Sequence, residues 1–154
     1  MTTIEELINP SLVSVDLAAT GRREAIEELA ALLEADGRVT DLRAYVDAVW
    51  AREEETGGTG MGSGVAIPHA KSAAVSRASV AFGRSAAGVD FGAEDGSRAD
   101  LIFLIAAPEG ADDLHVTVLS RLARRLVHEG FRTALREAGT AQEAFDVIRK
   151  EVEL

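Results

Sequence analysis

His69 stands directly after Pro68, at the end of the short apolar run Val65-Ala66-Ile67 and just downstream of a glycine-dense segment, Gly57-Gly58-Thr59-Gly60-Met61-Gly62-Ser63-Gly64. Pro68 fixes its own φ and pushes Ile67 toward extended backbone, so the imidazole leaves the run on a rigid stem. Glycines let a backbone approach a ligand closely, and successive backbone N–H groups form concave sites for anions. A histidine held beside such donors suits nucleophilic or proton-transfer chemistry on an anion. The same pattern also fits a loop histidine with no chemical role, so the weight falls on the residues around it.

Two further residues bear on that choice. Asp112-Asp113-Leu114-His115 is predicted to open a helix, with either aspartate as its N-cap. His115, Leu119, Leu122 and Leu126 recur at i, i+4, i+7 and i+11, which places His115 at the top of the buried stripe, where the dipole favours negative charge. Arg52 continues the stripe of Tyr45 and Val49 and is expected to point inward, either snorkelling past the core or reaching toward the glycine segment. His128 is expected in the last turn of the helix that His115 opens, in a structural role.

The glycine segment does not match the familiar nucleotide loops. A P-loop would need lysine after Gly62, where Ser63-Gly64 stands instead. A dinucleotide fingerprint leaves a strand and opens a helix, the reverse of the order predicted here. No cofactor is therefore implied. Gly60, Gly62 and Gly64 are instead expected to cradle a single phosphoryl group through N–H donors worth about 1.5–3 kcal/mol each. A metal hydrolase built on His69, His115 and Asp113 is disfavoured, because only two histidines are suited as ligands and no His-x-x-x-His pair exists, so no metal is expected.

The elements that must position these residues follow from periodicity. Residues 11–16 fit a short strand. Ile26, Leu29, Ala30 and Leu33 form a helical stripe after Thr20-Gly21, and Asp41 caps a second helix with Leu42, Tyr45, Val46, Val49 and Trp50 on one face. Ala78, Val80 and Phe82 alternate like a half-buried strand, whereas Leu101 to Ala107 is apolar on both faces and reads as a central one. Helices are predicted from about Asp112 to His128, near Phe131–Glu137, and after a Thr140/Glu143 capping box with Ala144, Phe145, Ile148 and Val152 facing inward. The pattern is α/β, a sheet with helices on both faces.

The 154 residues suit one domain spanning 1–154. No apolar run approaches the ~20 residues of a membrane span and no signal peptide is evident, so a cytoplasmic protein without direct membrane insertion is expected. The absence of cysteine excludes disulfides and thiolate chemistry. A net charge of −10 argues against nucleic acid. Residues 1–60 hold 13 acidic against 5 basic side chains, while Arg121, Arg124, Arg125, Arg132 and Arg136 gather later, as solvated helix faces or for steering a protein partner.

Arg-Glu-Glu-Glu…Thr-Gly-Met-Gly-Ser-Gly-Val-Ala-Ile-Pro-His over 52–69, followed by Asp-Asp-Leu-His-x-x-x-Leu-x-x-Leu-Ala over 112–123, resembles the fructose/mannitol-type enzyme IIA component of the bacterial sugar phosphotransferase system, and the likeness covers essentially the whole chain. The resemblance implies a mixed β-sheet between helices. It implies a phosphotransferase component in which His69 accepts a phosphoryl group on Nε2 from the phosphocarrier HPr and passes it to a cysteine of a IIB component, with a membrane IIC permease as indirect partner. It further implies that His115 holds the phosphoryl group and that Arg52 matches the arginine ahead of the glycine loop, although the stretch from Arg52 to His69 is one residue longer than the usual pattern. An apolar docking surface around His69 would then include Met61 and Ile67. A fused IIB domain would bring a cysteine, so the A component alone is expected. Sugar uptake of the fructose type is the implied role. A nitrogen-related regulatory branch that takes the same phosphate and acts by binding proteins is the alternative.

Overall fold

A computed structural model describes residues 3–110 and 114–153. The chain opens with the short helix α1 (Ile4–Leu7), a 3-10 turn (Pro10–Leu12) and the strand β1 (Val13–Ser14). Two helices follow, α2 (Arg22–Ala35) and α3 (Leu42–Thr56), then β2 (Gly60–Gly62), β3 (Val65–Ala66), β4 (His69–Ser72), β5 (Ser79–Val89) and β6 (Ala99–Pro108). The C-terminal part is helical: α4 (Leu114–Leu126), α5 (Glu129–Glu137) and α6 (Ala141–Glu151).

Among the described residues the strands form one mixed sheet in the order β1-β5-β6-β3-β2, with β4 continuing the β3 edge along β6. β5 and β6 run antiparallel at the centre, while β1 lies parallel to β5, and β3 and β4 lie parallel to β6. Helices α2 and α3 pack together over one face, and α4, α5 and α6 gather over the other. This is the α/β architecture expected from the sequence. Leu101 to Ala107 are all buried, as a strand covered on both faces requires.

The two early helices form where their stripes place them. Ile26, Leu29, Ala30 and Leu33 of α2 are buried, as are Tyr45, Val46 and Val49 of α3, and the Asp41 carboxylate caps α3 by accepting from the Ala44 N–H at 3.1 Å. The α3 helix ends at Gly57, whose φ of +83° supplies the left-handed cap. Tyr45, fully buried, donates its hydroxyl to the Ile105 carbonyl at 2.9 Å and so fixes α3 against the central strand. Ile105 is the residue of β6 that lies opposite His69.

Several boundaries differ from the sequence reading. β5 is covered on both faces, since Ser79, Ala81 and Gly83 are buried along with Val80 and Phe82. A Cβ on Gly83 would meet Leu17 and Leu29 at 2.5 and 2.8 Å, so the small residues there make room for neighbouring side chains. His128 lies beyond α4, at the N-cap of α5, because α4 stops at Leu126. Thr140 caps α6 by accepting from the Glu143 N–H, but the Glu143 carboxylate returns to the Gly139 N–H, so the expected box is shifted by one residue. The Asp112/Asp113 cap lies outside the described residues.

Candidate active site

Pro68 lies in the two-residue break between β3 and β4, so His69 is the first residue of a strand rather than part of a loop, and the Pro68 carbonyl accepts from the Ile105 N–H at 3.0 Å, which bonds the residue before His69 to the central strand. His69 itself is half-buried, and its Nδ1 lies 2.8 Å from the Ile67 carbonyl. A carbonyl oxygen can only accept, so Nδ1 must carry the hydrogen and Nε2 is left with the free lone pair. The backbone thus selects the tautomer and leaves one defined nitrogen with an unengaged lone pair.

A groove of about 410 Å³ opens beside this imidazole, lined by Ala48, Arg52, His69, Ala70, Lys71, Val116 and Leu119. Arg52 therefore reaches the His69 site, but not from the position expected. It is exposed, and the inward place on the α3 stripe is taken by Glu53, which is 1% exposed. Glu53 stands four residues after Val49 and Arg52 stands three after it, and both spacings continue a helical stripe. Arg52 instead follows Ala48 by one turn along the groove wall.

His115 is the second residue of α4. Its side chain is outside the described part of the molecule, while its helical neighbours Val116 and Leu119 line the groove. Lys71 was not singled out in the sequence. It follows His69 by two residues on β4, and strand alternation puts it on the same face. Val116, 51% exposed, is a second lining residue the sequence reading missed, and it gives the groove an apolar side.

The glycine segment is elsewhere and does another task. Ser63-Gly64 is the turn of the β2–β3 hairpin, with φ of +58° and +80° after +89° at Gly62, the last residue of β2, and positive φ at both turn residues suits a tight two-residue hairpin. Its backbone donors at positions 60, 63 and 64 already have partners. Gly60 N–H donates to the Phe91 carbonyl, Ser63 N–H to Asp95 and Gly64 N–H to Ser97. The Gly64 carbonyl faces Asp100 and Leu101 at the start of β6, while His69 pairs with Ile105, four residues on and roughly 13 Å along a strand. The structure thus does not bring Gly60, Gly62 or Gly64 to His69. Glycine is required at Gly60 by close packing, since a Cβ there would lie 2.9 Å from the Ala93 backbone nitrogen, and at Gly64 by a φ of +80°. Met61, 41% exposed, sits with Leu126 and Val127 beside a separate hollow, while Ile67 is partly buried against the core.

A half-buried histidine with a fixed tautomer shares an open groove with two cations, an arrangement suited to an anionic group. The comparisons agree. Residues 6–151 match the model of the family described as phosphoenolpyruvate-dependent sugar phosphotransferase system, EIIA 2, and the chain belongs to that family. It is a phosphotransferase component of the phosphohistidine type. It is 42% identical to the fructose-specific EIIA component of Haloferax volcanii over 99% of each chain. It is 39% identical to the fructose-specific EIIABC component of Bacillus subtilis, over 96% of this chain but only 23% of that longer protein. Among solved structures, the nitrogen regulatory protein IIA-Ntr of Neisseria meningitidis superposes with a TM-score of 0.85 at 34% identity, covering 94% of this chain and 98% of that one. The complex of enzyme IIA for mannitol with phosphorylated IIB from Escherichia coli matches at 0.78 and 25% identity, covering 93% and 97%. No described helix is long and apolar enough to cross a membrane.

Proposed function

We propose that this chain, as a single EIIA domain over 1–154, carries the phosphoryl group on Nε2 of His69 and works in sugar uptake of the fructose type. The observation that supports this most is the 2.8 Å approach of Nδ1 to the Ile67 carbonyl, which leaves Nε2 as the lone-pair nitrogen of a residue lining the groove. In the first transfer the Nε2 lone pair forms a bond to phosphorus as the N–P bond of phospho-HPr breaks, and that bonding pair returns to the donor. In the second, a IIB thiolate attacks phosphorus and the Nε2–P bond breaks, restoring the imidazole. Nδ1 keeps its hydrogen throughout. Arg52 and Lys71 balance the charge of the transferring group. The backbone position of His115, beside Val116 and one turn before Leu119, supports a role for it in holding that group.

HPr as donor, a IIB component as acceptor and a IIC permease downstream are the partners this reading requires, and they place the chain in the cytoplasm. The complex formed by the Escherichia coli mannitol relative supports the second of them. The exposed Val116 beside His69 suits an apolar docking face. The likeness to the Neisseria meningitidis nitrogen regulatory protein favours one second reading, a phosphoprotein that acts by binding regulatory targets. Incubation with phosphoenolpyruvate, enzyme I and HPr should place an acid-labile phosphate on the wild type and none on His69→Ala. Labelling of that variant would refute the assignment. Onward transfer to a fructose-type IIB separates transport from regulation.

A further inference from the structure

Glu53 is the least expected residue near the site. It occupies the core position of α3 that Val49 predicts to be apolar, its side chain is wholly buried, and its Oε2 has no hydrogen-bond partner. Burial raises its carboxyl above the ordinary range, against the pull of the Thr59 hydrogen bonds, Arg22 and His69. A buried carboxylate with one orphaned oxygen is costly where a leucine would pack.

The other oxygen shows what the buried acceptor is for. Oε1 accepts from the Thr59 N–H at 3.2 Å. The Thr59 carbonyl accepts from the Ile67 N–H at 3.2 Å. The Ile67 carbonyl accepts from Nδ1 of His69 at 2.8 Å. Three bonds in series thus run from the α3 carboxylate through two backbone residues to the imidazole. We infer that Glu53 is a positioning residue for His69, holding Thr59 and through it Ile67 so that the Ile67 carbonyl fixes the Nδ1–H tautomer. The coupling is mechanical. The N–H and C=O of one residue belong to different peptide groups, so each link sets the place of the next. Arg22, 3.7 Å from Oε1 and bonded to the Asp90 carbonyl, anchors the far side of the carboxylate.

This deepens the reading of His69 as phosphoryl acceptor and rests on it for its consequence, while the tautomer is observable in the unphosphorylated protein. Two variants separate positioning from packing. Glu53→Gln keeps an acceptor oxygen without the charge, and Glu53→Met fills the volume with no acceptor. Long-range 1H–15N correlation of His69, recorded where the ring is neutral, should give the Nδ1–H signature in wild type and Glu53→Gln and a mixture of tautomers in Glu53→Met. Phosphoryl transfer in Glu53→Met should fall at least about tenfold, since small displacements of a reacting group carry costs of that order or more. A wild-type tautomer signature in folded Glu53→Met overturns the inference, even if His69 proves to be the acceptor. Should Glu53→Met not fold, amide exchange in Glu53→Gln decides. The bond to a neutral acceptor is about half as strong, so Thr59 and Ile67 should exchange faster, and unchanged exchange at both overturns the inference.

Discussion

Arg52 and Lys71 put two cations on the wall of the groove that His69 faces, one from a helix and one from a strand. They are not equivalent. A guanidinium offers a planar fork of donors that matches phosphoryl oxygens, whereas an ammonium acts as a point charge on a flexible stem. Arg52→Ala should slow transfer to IIB by roughly 10- to 150-fold, the rate equivalent of one charge-assisted bond of about 1.5–3 kcal/mol. Arg52→Lys should recover part of that loss. Lys71→Ala should cost less, and its effect should fade as salt is raised, because an exposed charge without fixed geometry is screened. Stopped-flow transfer from phospho-HPr and to IIB, at low and high ionic strength, measures all three. Normal transfer by both Arg52 variants would mean that the added residue between Arg52 and His69 has removed the guanidinium from the reaction.

The element that matters most for this geometry is α3, since it carries Arg52 to the groove and Glu53 to the loop beneath His69. Its position on the sheet depends on Tyr45, whose buried phenol, held well above its ordinary pKa by burial, donates to the Ile105 carbonyl. Tyr45→Phe keeps the ring and removes this one bond, while the Ile105 carbonyl stays in the β4–β6 ladder, so it should cost about 0.5–1.5 kcal/mol in chemical denaturation, with a smaller loss of transfer rate as α3 loosens. The helix itself was legible from its stripe and its Asp41 cap, as were α2 and α6, because amphipathic periodicity is a local property. Which residue ends the stripe was not, since Arg52 and Glu53 satisfy the spacing equally and only the fold of the following loop chooses between them. The packing role of the glycine run is hidden from the sequence for a related reason. Glycine permits close approach to anything, and the partner here is the 91–100 segment, which no local pattern announces. His69 was legible because proline acts on its immediate neighbours. Lys71 would have been found by continuing the strand alternation two residues past it.

At the scale of the whole molecule, a net charge of −10 makes acidity the dominant electrostatic fact, and the carboxylates divide in what they contribute. Backbone N–H groups of Ser97 and Ser63 hold the Asp95 carboxyl below its ordinary range. Burial would raise Asp36, but hydrogen bonds from Arg38 and Asn9 outweigh it and hold that carboxyl low as well. Groups of this kind stabilise the fold above their unfolded pKa, and that stability is lost as pH falls through the folded value. Glu53 acts in the opposite sense. Its carboxyl is raised, so its neutral form fits the fold better than its ionised form, and the advantage is lost as pH rises through the folded pKa. Glutamine imitates the neutral form at every pH. Glu53→Gln should therefore match wild-type stability below the unfolded carboxyl value of about 4.3, exceed it increasingly as pH rises from there to the folded pKa, and hold that gap above it. Urea denaturation of both proteins across that range measures the difference directly. A constant gap, or one that closes as pH rises, would show that Arg22 and Thr59 fully compensate the buried charge, and that the native carboxylate is retained at no cost to the fold.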